Sequence, residues 1–377
     1  MIISSRLYRF SKVCLRAIHI VGNLFSCLEK PFLSYQQEYF WEIKDLDRAS
    51  RTQLPVLSDA TRRNIKSFWS NYFTSPVSET FYRSIAFVQE GEPDDLHLYV
   101  SAYIMFAHMN DILNSPVETK SFSEKLLFPL LFPSVKQPRT IIGFYQGQYV
   151  SETFQPISHK KAVETILRYG KPIIIKQSID SLGGKGVGLI DNYDEDTLRN
   201  TFASRKKNFI VQEVIKQSEE MAKLNDSSLN TLRILTLLLN GKCTVTAKML
   251  RHGCPGAKID NVSSGGYGVG IADNGTLTFA VSDTQFFRND THYSGVKYST
   301  FKVPNISSVY ETAIRLHYNT PQCHFIAWDF AMDTNNDPVL IEANFYRPGV
   351  TWPQIVGEKP IFGERTKEVL DYCFKKG

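Results

Sequence analysis

Phe325-Ile-Ala-Trp-Asp329-Phe-Ala-Met332 and Pro338-Val-Leu-Ile-Glu342-Ala-Asn344 are two apolar, strand-like runs joined by the polar stretch Asp333-Thr-Asn-Asn-Asp337. A two-residue turn centred on Asn335-Asn336 would fold them into a hairpin with Asp329 opposite Glu342. Their Cβ atoms would then lie about 5 Å apart on one face, and Asn344, two residues on, projects from the same face. Two carboxylates so placed repel unless a cation or a proton sits between them. Asp, Glu and Asn offer hard oxygen ligands, which suit Mg²⁺ bridging to phosphate oxygens, whereas zinc would call for His or Cys. The competing reading, an edge hairpin with solvated carboxylates, fits poorly with the apolar residues around them. A register slip of one residue would carry Asp329 to the other face.

Upstream, Asn230-Thr-Leu-Arg233 opens a second hairpin that closes at Asn240-Gly241 and returns through Lys248-Met-Leu-Arg251. Asn-Gly is a strong type I′ turn signal and predicts Arg233 directly opposite Lys248. Two opposed cations imply an anion between them, and an arginine can fork onto phosphate or carboxylate; the alternative is two long side chains splayed into water. Further upstream, the strand Lys171-Pro-Ile-Ile-Ile-Lys176 delivers a lysine beside the glycine-rich Gly183-Gly184-Lys185-Gly186-Val187-Gly188. Exposed backbone N–H groups beside a lysine are suited to polyphosphate, although a flexible hairpin tip would look the same. Asn261 and the glycines of Gly265-Gly266-Tyr-Gly-Val-Gly270 form a second loop where backbone could approach a ligand.

The chain has 377 residues, which predicts roughly two to three domains. At 42% hydrophobic and 21% charged it has the composition of a folded globular protein. The formal charge of +5, without a basic stripe, argues against a nucleic-acid partner. Six scattered cysteines with no C-x-x-C pair read as reduced thiols in a cytosolic protein. Arg6, Arg9, Lys12, Arg16 and His19 interrupt the N-terminal apolar residues, so no signal peptide is expected. Leu7, Phe10, Cys14, Ala17, Ile18, Val21 and Phe25 recur at helical spacing there, which predicts a helix docked on the protein's own core, with an interfacial membrane helix as the alternative. Helical periods continue to about residue 120: Asp59 as a cap before Thr61–Tyr72, then Ser78–Val88, then one long helix over Asp94–Leu113. Strands and helices then alternate, with a helix over Ser158–Tyr169 stopped by Gly170 and another from about Asp194. His252 and His324 lie nearest the charged motifs and read as packed or solvated side chains.

Taken in order, Lys176 with its glycine loop, Gln212-Glu213-Val214-Ile215, Asn230-x-x-Arg233, Lys248-x-x-Arg251, Asn261 with Gly265-Gly266, and Asp329 followed by Glu342-x-Asn344 resemble the ATP-grasp superfamily. Asn-Thr-Leu-Arg and Trp-Asp-Phe are most similar to the sugar-transfer associated ATP-grasp proteins of bacterial polysaccharide loci, over roughly residues 120 to 370. The resemblance implies an α+β fold in which two α+β subdomains, residues 119–212 and 213–377, clasp ATP, here preceded by a helical region at residues 1–118. It implies Lys125 and Lys176 as nucleotide lysines, Gly183, Gly184, Lys185 and Gly186 as the phosphate loop, Glu213, Val214 and Ile215 at adenine and Glu220 at the ribose. Asp329, Glu342 and Asn344 would hold Mg²⁺, and Arg233, Lys248 and Arg251 would stabilise the transferring phosphoryl group. The chemistry implied is attack of a carboxylate on the γ-phosphate of Mg-ATP, then displacement of phosphate from the acylphosphate by an amine. The substrate would be a small-molecule or sugar-linked carboxylate in surface polysaccharide biosynthesis, in the cytoplasm or at the inner membrane face. The alternatives are a phosphotransferase acting on a sugar hydroxyl, or a non-catalytic ATP-binding accessory protein that contacts glycosyltransferases through its N-terminal helices. Ligases of the superfamily commonly begin with a Rossmann-like acceptor domain, and this chain begins with helices, so the acceptor site does not carry over.

Overall fold

In the computed structural model, which describes residues 52–375 apart from 75–76, 180–185, 206, 258–259 and 263–264, the apolar runs pair into two antiparallel sheets. The smaller sheet contains β1 (Thr140–Tyr145), β2 (Gln148–Ser151), β3 (Pro156–Ile157), β4 (Ile173–Gln177), β5 (Gly188–Ile190) and β6 (Phe209–Glu213), in the order β3-β2-β1-β6-β4-β5. The larger contains β7 (Thr231–Leu239), β8 (Lys242–His252), β9 (Tyr267–Ile271), β10 (Leu277–Ser282), β11 (Phe325–Met332) and β12 (Pro338–Asn344), in the order β10-β9-β8-β7-β11-β12. The longer helices are α1 (Asp59–Trp69), α2 (Glu79–Val88), α3 (His159–Tyr169), α4 (Glu195–Ser204), α5 (Ile306–His317), α6 (Thr351–Gly357) and α7 (Thr366–Phe374). The fold is α+β.

Local chemistry sets the helix ends. Ser158 caps α3 by accepting from Lys161 N, and Gly170 ends it at φ 63°, a left-handed conformation that costs a glycine nothing. Asp194 caps α4 in the same way. The expected cap at Asp59 is corrected to Ser58, whose hydroxyl accepts from Thr61 N. The single helix expected over Asp94–Leu113 is also corrected. It breaks after Leu96–Leu98 and restarts at Ala102, because Ser101 caps the new helix through Ile104 N. Between the two pieces, the extended backbone of Val100 is held by Gln354, which accepts from Val100 N at 3.0 Å and donates to Val100 O at 2.8 Å. The N-terminal helix expected around Leu7–Phe25 lies outside the described residues.

Side-chain alternation gives the large sheet two faces. Leu232, Ile234, Leu250, Ile326, Trp328 and Phe330 point towards α5. Leu235, Leu237, Leu239, Met249, Phe325 and Ala327 point the other way, into one continuous core with α1, α2, the helical run to Leu113, α6 and α7. The described helices between Asp59 and Leu113 are therefore a layer of the large sheet's own core. On the smaller sheet, α3 and α4 bury Ala162, Val163, Ile166, Leu198 and Phe202 against β1, β4 and β6. Among the described residues no helix is long and apolar enough to cross a membrane, and Cys243, Cys254, Cys323 and Cys373 are free thiols.

Packing of α6 on β9 depends on Gly270, where a Cβ would overlap Thr278 Oγ1 and the Val356 carbonyl. Backbone cannot give way as a flexible side chain can, so Gly270→Ala is expected to lower stability by about 1–3 kcal/mol in urea unfolding. An unchanged midpoint would mean that this close contact does not exist in solution.

Candidate active site

The β11–β12 hairpin pairs Asp329 with Glu342 and Ala327 with Asn344, as expected, but by a different route. The tip is the whole stretch from Asp333 to Asp337, held by the Asp333 carboxylate accepting from Asn335 N and Asp337 N. That longer tip shifts the ladder by one residue, so Phe330 pairs with Leu340, and a bulge at Ile341 then restores the opposition of the two carboxylates. The bulge also aims the Ile341 carbonyl at Lys176, whose Nζ is 3.5 Å away.

The β7–β8 hairpin closes at Asn240 and Gly241, with φ of 52° and 73°, as its Asn-Gly tip predicts. A bulge at Thr246 moves the ladder by one residue beyond Thr236, so Arg233 faces Met249 and Lys248 faces Ile234. The expected pairing of Arg233 with Lys248 is thus corrected, and the lysine turns to the opposite face of the sheet. There its ammonium pairs with Asp273 at 2.5 Å and lies over the Tyr310 ring. The same shift places Arg251 opposite Thr231, on the face that carries Arg233.

Asp329 sits between these elements, only 2% exposed. Arg233 grips it with both ends of its fork, Nε to Oδ1 at 2.9 Å and a terminal nitrogen to Oδ2 at 2.8 Å. Arg251 reaches Oδ2 at 3.1 Å. Burial alone would raise the Asp329 carboxyl, but the two guanidinium charges outweigh it and hold the group below the usual carboxylate range. Glu342 is paired with Lys125 at 2.9 Å. The repulsion expected between the two carboxylates is therefore relieved by three protein cations.

Both lysines come from the smaller sheet's side and are buried. Lys125 N donates to Ser178 O, one residue beyond β4, and Ser178 Oγ donates to Glu124. The turn that carries Lys125 is thereby locked to the strand that carries Lys176. Burial, assisted by the neighbouring charge of Lys125, lowers the Lys176 ammonium to about 8.

Asp329, Glu342 and Asn344 form a hard-oxygen set of the kind Mg²⁺ takes. The fit has one condition, because Asn344 turns its Nδ2 towards Asp329 at 3.5 Å, and a half-turn of the amide would present the oxygen. Of the phosphate loop, Gly183, Gly184 and Lys185 lie outside the described residues, and Gly186 has φ 78° with its carbonyl bound by Arg205. Glu213 ends β6 and accepts from Arg139 N, followed by exposed Val214 and half-buried Ile215. Glu220 is exposed and paired with Lys223, with no link to the charged cluster. His252 is fully buried, bonded to Gly253 O and Tyr298, and burial lowers it to about 4. His324 bonds Leu238 O and Tyr372. Neither histidine enters the cluster.

Two residues of the cluster went unnoticed in the sequence. The Thr231 hydroxyl receives Arg251 Nε at 3.0 Å and a terminal nitrogen at 2.7 Å, and itself donates to Asp260. Arg251 is also 3.6 Å from Asp260. Adjacency to Asn261 and to Gly265-Gly266 was the signal available for Asp260.

A family model described as sugar-transfer associated ATP-grasp matches residues 107–369. No curated protein matches the sequence. Among solved structures, the chain is similar to the ATP-grasp ligase PsnB complexed with a minimal precursor, at 11% identity over 69% of this chain and 64% of that one, TM-score 0.40. It is also similar to the D-alanine-D-alanine ligase from Coxiella burnetii, at 12% identity over 67% and 57%, TM-score 0.39. A biotin carboxylase–β,γ-ATP complex from Campylobacter jejuni aligns at 14% identity over 71% and 49%, TM-score 0.42. The chain spans less than two thirds of each of these three proteins.

Proposed function

Because the chain belongs to the sugar-transfer associated ATP-grasp family, we propose that it is a Mg-ATP-dependent ligase that joins a carboxylate to an amine through an acylphosphate. The observation that carries this reading is the convergence of Lys125, Arg233 and Arg251 on the carboxylates of Asp329 and Glu342, with the Lys176 ammonium beside them at the Ile341 carbonyl. Phosphoryl transfer needs in-line placement and charge neutralisation more than covalent help from the protein, and this cluster is suited to both.

In this reading Asp329, Glu342 and Asn344 hold Mg²⁺, which when bound neutralises charge on the phosphate oxygens. Lys125 and Lys176, with the loop from Gly183 to Gly186, hold the phosphates. Glu213, Val214 and Ile215 line the adenine, and Glu220 is assigned to the ribose. Arg251 and Arg233 offer donors to the transferring group, and Lys248, on the far face, takes no part. The proposed division is a small subdomain at 119–212, a large one at 213–377 and a helical region at 1–118. The substrate is a sugar-linked or small-molecule carboxylate of surface polysaccharide assembly, handled in the cytoplasm, with contact to glycosyltransferases or the inner membrane face through the N-terminal region.

Thermal unfolding with ATP, with and without Mg²⁺, tests the nucleotide part, because a ligand that binds only the folded state raises apparent stability. Mg-ATP is expected to raise the Tm of the wild type, and Glu342→Ala to lose the Mg²⁺-dependent share. A wild-type Tm indifferent to Mg-ATP would overturn the reading. A phosphorylated product formed with no amine present would instead select the phosphotransferase.

A further inference from the structure

A buried serine joins the two lysines into one piece. Ser178 follows β4, and its N–H donates to Asn208 O at 3.1 Å, which ties it to the residue before β6. Its carbonyl accepts from Lys125 N at 2.9 Å, and its hydroxyl donates to Glu124 Oε2 at 3.0 Å. The other oxygen of the buried Glu124 accepts from Leu126 N at 3.1 Å, so this carboxylate spans the start of the short turn Lys125–Leu127. Each polar group of Ser178 thus has a partner, one on the small sheet and two on the turn that carries Lys125.

Apolar packing alone leaves that turn divided between the two sheets. Leu126 lies on β1, where a Cβ at Gly143 would stand 2.6 Å from Leu126 Cδ1, whereas Phe128 belongs to the core beneath the large sheet. Apolar contact is non-directional and does not fix the orientation of the turn, while hydrogen bonds to Ser178 do. At the far ends of the side chains, Lys125 Nζ meets Glu342 and Lys176 Nζ meets the carbonyl of Ile341, successive residues of β12. Lys176 is placed by β4 itself, and Lys125 is placed against the end of β4 through Ser178.

We propose that Ser178, acting through Glu124, is the positioning residue that sets the spacing of the two lysine ammonium groups, and that this spacing selects linked phosphates over a single one. The proposal rests on the ligase reading in taking both lysines as phosphate ligands. Two cations held at a fixed separation engage two linked phosphates with little further loss of side-chain freedom, whereas a lone phosphate is served by either lysine. Ser178 itself touches no ligand in this scheme. Removing its hydroxyl leaves both charges in place and loosens only their separation.

Calorimetric titration of the full chain with ADP and with AMP, near neutral pH and with Mg²⁺ present, tests the assignment. Ser178→Ala is expected to weaken ADP about fivefold to tenfold, the scale of one lost buried hydrogen bond, and AMP by less than about twofold. A general defect of the fold would weaken both nucleotides alike. In a Lys125→Met background, Ser178→Ala should have no further effect on ADP, because the ammonium it positions is gone. Equal losses for ADP and AMP, or losses that add in the double variant, would overturn the positioning role. Glu124→Gln keeps the shape but offers one acceptor oxygen to two donors, so it repeats both comparisons, with the same expected and overturning results, should Ser178→Ala fail to fold. A wild type that binds ADP no better than Ser178→Ala does would overturn the positioning role alone. A wild type that binds neither nucleotide would instead overturn the ligase reading from which it starts.

Discussion

Asp329→Ala should cost the protein about 3–5 kcal/mol of stability, the typical loss when one partner of a buried ion pair is removed. The size follows from what remains. Arg233, its side chain 17% exposed, would keep its charge with no facing carboxylate, and Arg251, 10% exposed, would be left with Asp260 at 3.6 Å. Asp329→Asn keeps the shape and one acceptor oxygen but still loses the charge, so it should fall between alanine and the wild type. The pH dependence has a definite sign. Because the folded carboxyl lies below its ordinary value, its stabilising contribution is complete above the unfolded value of about 3.9 and is lost as pH falls through the folded one. Urea unfolding near neutral pH reads the cost directly. A loss below about 1 kcal/mol would mean that water, rather than Asp329, satisfies the two guanidiniums in solution.

Nucleotide affinity should fall above about pH 8, by up to tenfold per pH unit, as Lys176 loses the proton that attracts phosphate. The same residue acts on stability in the opposite direction. Below about 8 the lysine is charged in both states, and the folded state bears the cost of burying it. Between about 8 and its unfolded value near 10.4, only the unfolded chain holds the proton, so this group's contribution favours folding as pH rises. Falling affinity beside an improving contribution to stability separates loss of a phosphate contact from general alkaline unfolding. Calorimetric titration with ADP across this range, repeated with Lys176→Met, provides the check. A slope that survives in the variant would assign the titration to another group and detach Lys176 from the phosphates.

Much of this arrangement was legible in the chain, but unevenly. The Asn240-Gly241 tip was readable because its two left-handed residues follow from local sterics alone. The bulge at Thr246 was not, since it answers to what lies on both faces of β8: Met249 needs the helical core and Lys248 needs Asp273 and Tyr310. The opposition of Asp329 and Glu342 was reached by assuming a short tip and an unbroken ladder. A longer tip and a bulge offset each other and leave the same pairing. Lys125 carries no local signal of its function, and only the fold brings it to Glu342. Asp260 was overlooked beside residues that were singled out, because its place depends on the bare backbone of Gly266 and on a threonine far away in sequence.

The helical layer over the large sheet has a consequence for how such a protein can be inherited. The stretch matched by the family begins at residue 107, yet Leu57, Ile65, Trp69, Phe81, Tyr82, Ile85 and Tyr99 complete the core on which Leu235, Leu237, Phe325 and Ala327 rest. Gln354, within the shared stretch, spends its amide on the backbone of Val100, outside it. The shared stretch is therefore no free-standing cassette: a recombination event that transplanted it would uncover part of that sheet face and leave the buried Gln354 amide with only Val350 O and Ile361 N of its four partners. Catalytic body and helical cover must travel together, and a substitution in either is felt through the sheet they share.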